Sequence, residues 1–236
     1  MKRFGIIGNP LGHSQSKAYF DRRFAAEGID ASFTEYPLNR IEEVRPLLSL
    51  LDGMNVTSPF KQQIIPYLDG LDPVAQAIGA VNVVCHGIGY NTDWYGIVHT
   101  FRPALLPDDR HALVLGTGGA ARAVGYGLQQ LGLSVRYVSR DAQRGDLTYS
   151  ALSADILNEC TVIANATPLG MAPHLDEAPA IPYNLVTARH LLFDCIYNPA
   201  ETLFLRYARE RGARTLNGQE MFGAQAEQAY RIYMAE

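Results

Sequence analysis

The chain is poor in cysteine: Cys85, Cys160 and Cys195 are odd in number, widely spaced and outside any CxxC pattern. That excludes a disulfide scaffold and a cysteine-held metal, and it fits buried free thiols in a reducing compartment. No metal site is expected. A basic run is also missing. Lys and Arg total 20 against 24 Asp and Glu, a net charge of -4 that argues against a nucleic-acid partner. No window approaches the roughly 18 uninterrupted apolar residues of a membrane span. Lys2 and Arg3 precede only Phe4-Gly5-Ile6-Ile7 before Gly8-Asn9-Pro10 breaks the run, too short for the apolar stretch of a signal peptide. There is no internal repeat and no low-complexity linker. What remains is a soluble globular chain expected in the cytoplasm, 236 residues long, 47% apolar, with mean hydropathy -0.06. That length fits one large or two small domains.

Short apolar runs alternate with helical patterns, which predicts a mainly parallel α/β sheet. Phe4–Ile7, Ser32–Tyr36 and Met54–Val56 read as strands, as do Ala80–Cys85 and Ile88–Tyr90. Ser16–Glu27 reads as a helix with Ala18, Phe20, Phe24 and Ala25 inward, and a second helix is predicted from about Ile41 to Leu51. A second cycle begins after Pro103 and Pro107. Its strands are Ala112–Leu115, Val135–Val138, Thr161–Ala164 and Leu191–Phe193; a helix runs to about Leu131, and later ones cover about Thr202–Arg211 and Met221–Tyr233.

The stretch Asn55-Val56-Thr57-Ser58-Pro59-Phe60-Lys61 gathers an amide, a hydroxyl and an amine beside a proline. Pro59 suits the first turn of a helix, which would put Lys61 near its start, at the end of the dipole that repels a cation. The segment taken alone also fits a solvated lysine on a surface helix. The strand Ala112–Leu115 runs into Gly116-Thr117-Gly118-Gly119-Ala120-Ala121, and a helix follows. That is the context of a dinucleotide-binding turn: one glycine permits the bend, the next lets backbone approach a pyrophosphate, and Ala121 keeps helix and sheet close. The following strand ends in Ser139-Arg140, with Arg144 beyond, where an NAD site usually carries Asp or Glu. Guanidinium groups bind a 2′-phosphate that a carboxylate would repel, so NADP is favoured over NAD, although either arginine also fits a solvated surface. Ser14 and Ser16 stand past the first strand and could bond a carboxylate or simply cap a helix. Asp93 could likewise be an N-cap, or a carboxylate that reaches Lys61, orients the amine and holds its charge. Reduction of a ketone with NADPH needs a hydride and a proton donor, and a Lys–Asp pair supplies the second without metal.

Taken together, these segments resemble the shikimate dehydrogenase family over nearly the full chain. Its substrate-carboxylate motif is matched by Ser14-Gln15-Ser16, and its NxTxPxK segment by Asn55, Thr57, Pro59 and Lys61. Ala80-Val81-Asn82, Asn91-Thr92-Asp93, Asn165–Met171, Asp194–Pro199 and Gly218–Gln225 match further motifs. The resemblance implies an N-terminal α/β substrate domain over residues 1–95, completed by a C-terminal helix at 219–236, and a Rossmann-type NADP domain over 96–218. It implies reversible reduction of 3-dehydroshikimate to shikimate, in aromatic amino acid biosynthesis. Lys61 would be the acid/base and Asp93 its orienting partner and an acceptor for substrate hydroxyls. Ser14, Ser16 and Tyr197 would hold the carboxylate; Asn55, Thr57, Asn82 and Gln225 would meet ring hydroxyls. The cofactor would lie against Gly116–Ala121, Ser139, Arg140, Arg144, Thr167, Met171 and Gly218. The expected partner is the small-molecule substrate, bound by a monomer or homodimer. An NAD-dependent quinate/shikimate dehydrogenase and a non-catalytic shikimate-binding regulator are the rival readings. Three departures stand out: Lys17 where the family has proline, which should loosen its loop; a short stretch from Gly145 to Cys160; and an early end after the Gln225 helix.

Overall fold

The structure, a computed structural model, describes residues 1–12 and 14–235; His13 and Glu236, the latter the end of the helix expected at 219–236, fall outside them. The chain divides into two compact units, residues 1–92 with 225–236, and residues 93–224.

In the first unit, β1 (Lys2–Gly8), α1 (Ser16–Glu27) and β2 (Ala31–Pro37) make a parallel crossover. A 3-10 turn at Ile41–Val44 leads into α2 (Arg45–Leu50) and β3 (Gly53–Val56), which pairs with β1 in parallel. β4 (Gly70–Leu71), α3 (Pro73–Ile78), β5 (Val83–Cys85) and β6 (Ile88–Tyr90) follow, giving a sheet of order β2-β1-β3-β5-β6-β4. Only the β3–β5 and β5–β6 pairings are antiparallel. Side chains alternate across it. Phe4, Ile6, Val83 and Cys85 pack one way with Phe20, Phe24, Phe33, Tyr230 and Tyr233. Ile7, Met54, Val56 and Val84 face the other way, onto Val44, Leu47, Phe60 and Ile64.

The second unit opens with α4 (Asp93–Phe101) and continues through β7 (His111–Leu115), α5 (Gly119–Gln130), β8 (Ser134–Ser139) and β9 (Leu147–Thr148). After α6 (Ala154–Glu159) come β10 (Val162–Asn165), β11 (Leu191–Asp194), α7 (Leu203–Glu210), β12 (Arg214–Leu216) and α8 (Gln219–Met234), whose later turns belong to the first unit. The sheet order is β12-β11-β10-β7-β8-β9, with every pair parallel. Counted from β7, this is the 3-2-1-4-5-6 order of the doubly wound dinucleotide-binding fold, with its switch point between β7 and β10. Leu113, Leu115, Ile163 and Leu192 fill one face, and Ala112, Val114, Val162 and Phe193 the other.

Several sequence expectations need correcting. No α-helix follows Pro59: residues 58–64 form successive turns and a 3-10 turn spans Ile65–Tyr67. Pro66 has no N–H to bond the Gln62 carbonyl, so an α-helical ladder begun at Pro59 cannot run through it. Lys61 therefore sits in a turn, and the helix-dipole argument does not apply to it. The predicted 41–51 helix is split into the 3-10 turn and α2, which restarts around Pro46. On α1 the inward stripe is Ser16, Phe20 and Phe24, whereas Ala18 and Ala25 are exposed. Alanine is too small to carry a directional signal. Lys17 does not leave its segment untied: its ammonium bonds Asp21 at 2.6 Å and the Phe33 carbonyl at 3.0 Å, joining the start of α1 to β2.

Candidate active site

In an open parallel sheet, ligands gather beyond the carboxyl ends of the strands. In the first unit β1 and β3 are adjacent and parallel, so the segments leaving them are neighbours. Two backbone bonds join them: Thr57 N–H donates to the Ile7 carbonyl at 2.9 Å and Asn9 N–H to the Ser58 carbonyl at 3.0 Å. This brings the Ser14–Ser16 loop and the Thr57–Lys61 segment to one end of the sheet. Ser14 Oγ accepts from the Ser16 N–H at 3.2 Å, so the first serine caps α1 locally while its hydroxyl hydrogen stays available. Lys61 is half-buried between the buried Phe60 and Ile64, and its carbonyl accepts from Val81 N–H at 2.7 Å.

A second cluster joins β5, the end of β6 and α8. Asn82 Oδ1 accepts from the Thr92 N–H at 2.6 Å, and its Nδ2 donates to Thr92 Oγ1 at 2.9 Å and to Gln225 Oε1 at 3.3 Å. Thr92 Oγ1 also donates to Gln225 Oε1 at 3.3 Å. With its oxygen accepting twice, Gln225 keeps its NH2 to offer a ligand. Asn55 is 4% exposed, and its oxygen accepts from the Tyr233 phenol at 2.8 Å. Asp93 follows Thr92 directly as the first, buried residue of α4, where a carboxylate suits the helix dipole. The sequence reading overlooked Thr92 and Tyr233. Thr92 lay inside a matched motif, but nothing local marked Tyr233.

In the second unit the glycine turn joins β7 to α5. Gly116 has φ +109, which an L side chain rarely adopts, and a Cβ on Gly118 would meet nothing within 4 Å. Gly118 is thus open to a group that needs backbone contact, next to the unpaired N–H groups of the twelve-residue α5. Thr117, Gly119 and Ala120 are partly exposed around it, while Ala121 is buried between helix and sheet. Thr167 lies beside the turn, its methyl 3.4 Å from where a Gly116 Cβ would be. Ser139 is buried at the end of β8, and Arg140 and Arg144 are exposed just beyond. The acid that does follow, Asp141, is occupied locally: its Oδ1 accepts from Gln143 N–H at 2.9 Å. An open glycine cradle, a helix N-terminus and two exposed guanidinium groups fit a dinucleotide carrying an extra phosphate. Met171 is half-buried on the loop after β10, and Tyr197 packs against Phe222 at 5.2 Å. Gly218 is buried against the Cys195 carbonyl, 2.2 Å from where its Cβ would be.

These loops share a buried anchor that sequence reasoning did not single out as a site. Asp194 Oδ1 accepts from Asn165 Nδ2 at 3.1 Å and Ile196 N–H at 3.0 Å, and Oδ2 from Thr202 Oγ1 at 2.6 Å. Asn165 Oδ1 in turn accepts from the Thr167 N–H and hydroxyl at 3.0 and 2.7 Å. Burial pushes the Asp194 carboxyl up to about 6, a rise that these hydrogen bonds only partly offset. Among the described residues no cluster of three or more His, Cys, Asp or Glu could hold a metal, and no helix is long and apolar enough to cross a membrane.

Fold and site together define a two-unit α/β protein with a dinucleotide-binding type of sheet in one unit and a set of neutral donors with one amine at the strand ends of the other, the build of a nicotinamide-dependent oxidoreductase. A family model described as shikimate dehydrogenase substrate binding domain matches residues 6–84. The chain belongs to the shikimate dehydrogenase family: it is 35% identical to the NADP(+) shikimate dehydrogenase of Desulforamulus reducens, over 97% of this chain and 88% of that one. The crystal structure of shikimate 5-dehydrogenase from Thermus thermophilus in complex with NADP(H) and shikimate matches with a TM-score of 0.87 at 31% identity, covering 99% of this chain and 94% of that one. Quinate dehydrogenase from Corynebacterium glutamicum in complex with NAD matches with a TM-score of 0.86 at 26% identity, covering 99% and 93%.

Proposed function

We propose that the chain catalyses the reversible, NADP-dependent reduction of 3-dehydroshikimate to shikimate. The observation that carries this reading is the donor set of the first unit: serine hydroxyls, a threonine hydroxyl, two oriented amides and one lysine, gathered at the ends of adjacent strands and suited to a small polyhydroxylated acid. Residues 1–95 with the last helix take the substrate, and 96–218 take the cofactor.

When bound, NADPH supplies the hydride. Gly116, Thr117, Gly118, Gly119 and Ala120 line its pyrophosphate, with Ala121 setting the helix close to the sheet. Ser139, Arg140 and Arg144 meet the 2′-phosphate, and Thr167, Met171 and Gly218 line the remaining side. Ser14, Ser16 and Tyr197 hold the substrate carboxylate. Asn55, Thr57, Asn82 and Gln225 hold ring oxygens, and Asp93 accepts from a substrate hydroxyl. Lys61 donates the proton that converts the carbonyl oxygen to a hydroxyl, and takes it back in the reverse direction.

The direct test follows nicotinamide absorbance with shikimate and quinate, each offered with NADP and with NAD. Shikimate with NADP is expected to give the highest kcat/KM. A preference for quinate with NAD overturns the reading. The double change Arg140→Ala and Arg144→Ala is expected to raise the KM for NADP by about 10- to 100-fold while leaving NAD use unchanged, because two charge-assisted contacts are lost. An unaltered NADP KM removes the arginines from the cofactor site.

A further inference from the structure

The Asn55 side chain lies on the face of β3 shared with Gly53, away from Met54 and Val56. Tyr233, on the last turns of α8 and 2% exposed, donates to Asn55 Oδ1 at 2.8 Å. The phenol is well fixed. Its ring stacks on Phe4 at 4.7 Å and tilts against Phe20 at 5.5 Å. Gly53 leaves room for it: a Cβ there would lie 2.6 Å from the ring. A buried phenol must place its proton on an acceptor, or it incurs the cost of an unmade hydrogen bond. Asn55 Oδ1 is the acceptor that its hydrogen bond reaches. If the amide were turned over, two donors would face each other and the phenol proton would be stranded. The orientation of Asn55 therefore follows from the chemistry of its partner. With its oxygen used, Asn55 offers only NH2, which has no hydrogen-bond partner among the described residues. Gln225 is polarised the same way by Asn82 and Thr92.

We propose that Tyr233 is a positioning residue for the substrate: its phenol locks the Asn55 amide with the NH2 turned to the ligand, so that this side of the site selects acceptor oxygens. The proposal rests on the reading of Asn55 as a substrate residue. It is tested with Tyr233→Phe, which removes one oxygen and keeps the ring packing, together with Asn55→Ala and the double variant. Tyr233→Phe is expected to raise the KM for shikimate about five- to tenfold, with kcat and the KM for NADP nearly unchanged. In the Asn55→Ala background the same change is expected to have no further effect on that KM, because Tyr233 acts through Asn55. Thermal melts of all the variants accompany the kinetics. A Tyr233→Phe protein with a lowered Tm and an unaltered shikimate KM makes the tyrosine purely structural and overturns the proposal. So do KM effects that multiply in the double variant. If Asn55→Ala leaves the shikimate KM unchanged in an active enzyme, the positioning role falls while the proposed function stands. If the parent turns over no shikimate, the proposed function fails and takes the positioning role with it.

Discussion

Replacing Lys61 by alanine is expected to lower turnover about 10²- to 10⁴-fold while NADP binding stays close to that of the parent, the range typical of losing one positioned proton donor. The backbone at Lys61 is held without the amine. Its carbonyl accepts from Val81 N–H, and Phe60 and Ile64 on either side are buried. Removing the side chain beyond Cβ therefore leaves the turn in place and deletes the amine with its aliphatic stem. A rate remains because water can protonate the forming alkoxide. Lys61→Arg is expected to rescue little, since a guanidinium does not give up its proton near neutral pH. Steady-state kinetics with shikimate, alongside fluorescence titration of NADPH, separates the two quantities. Turnover within a few-fold of the parent removes Lys61 from the chemistry, and lost NADPH binding would show that the change disturbs more than the amine.

Much of the fold was legible because its signals are local. The apolar runs of β1, β7 and β10 stand out from their polar flanks, and Gly116–Gly119 marks a strand-to-helix turn wherever it occurs. Arg140 in place of an acid is likewise a one-position signal, although only the structure shows that Asp141 is turned to its own backbone. Where the reading failed, distant partners decide the outcome. Pro59 permits a helix start, but Pro66 and the buried Phe60 and Ile64 wind the segment into turns instead. Of the residues expected to open the strand at Ala80, Val81 turns its N–H to the Lys61 carbonyl; Asn82 still bonds Tyr90 of β6 and Val56 of β3, and β5 itself spans only Val83–Cys85. The candidate site residues were legible as motifs, each being close in sequence to its neighbours. The residues that aim them were not. Tyr233 reaches Asn55 across a separation of 178 residues, and Asp194 reaches Asn165 across 29. A buried hydrogen bond of that kind leaves no periodic trace in the chain.

Asp194→Asn is expected to abolish a component of stability that falls as pH rises, worth ~3 kcal/mol across the transition. The sign follows from the direction of the shift. Burial raises the folded carboxyl to about 6, above its ordinary value of 3.8, so between those values the folded protein binds the proton that the unfolded chain has released. The contribution is fully present below the unfolded value and is lost as pH climbs through the folded one. Asp109 works in the opposite sense and a lower window. Burial would raise it too, but bonds from Thr161, Leu106 N–H and Arg214 outweigh that and hold it below the usual range. Asp109 is common to the parent and Asp194→Asn, so its contribution cancels in their comparison. Asparagine keeps an oxygen for Asn165 and Ile196 and presents NH2 to Thr202, whose hydroxyl can turn to accept. Asp194→Ala instead strands three donors and is expected to be several kcal/mol less stable, about 3 or more. Urea denaturation of the parent and both variants at a series of pH values from about 4 to 7 reads the difference. The parent should lose stability relative to Asp194→Asn as pH rises through about 6. A difference that does not change with pH would mean that Asp194 titrates as an ordinary solvated acid, and the buried anchor of the Asn165 and Thr202 loops would have to be given up.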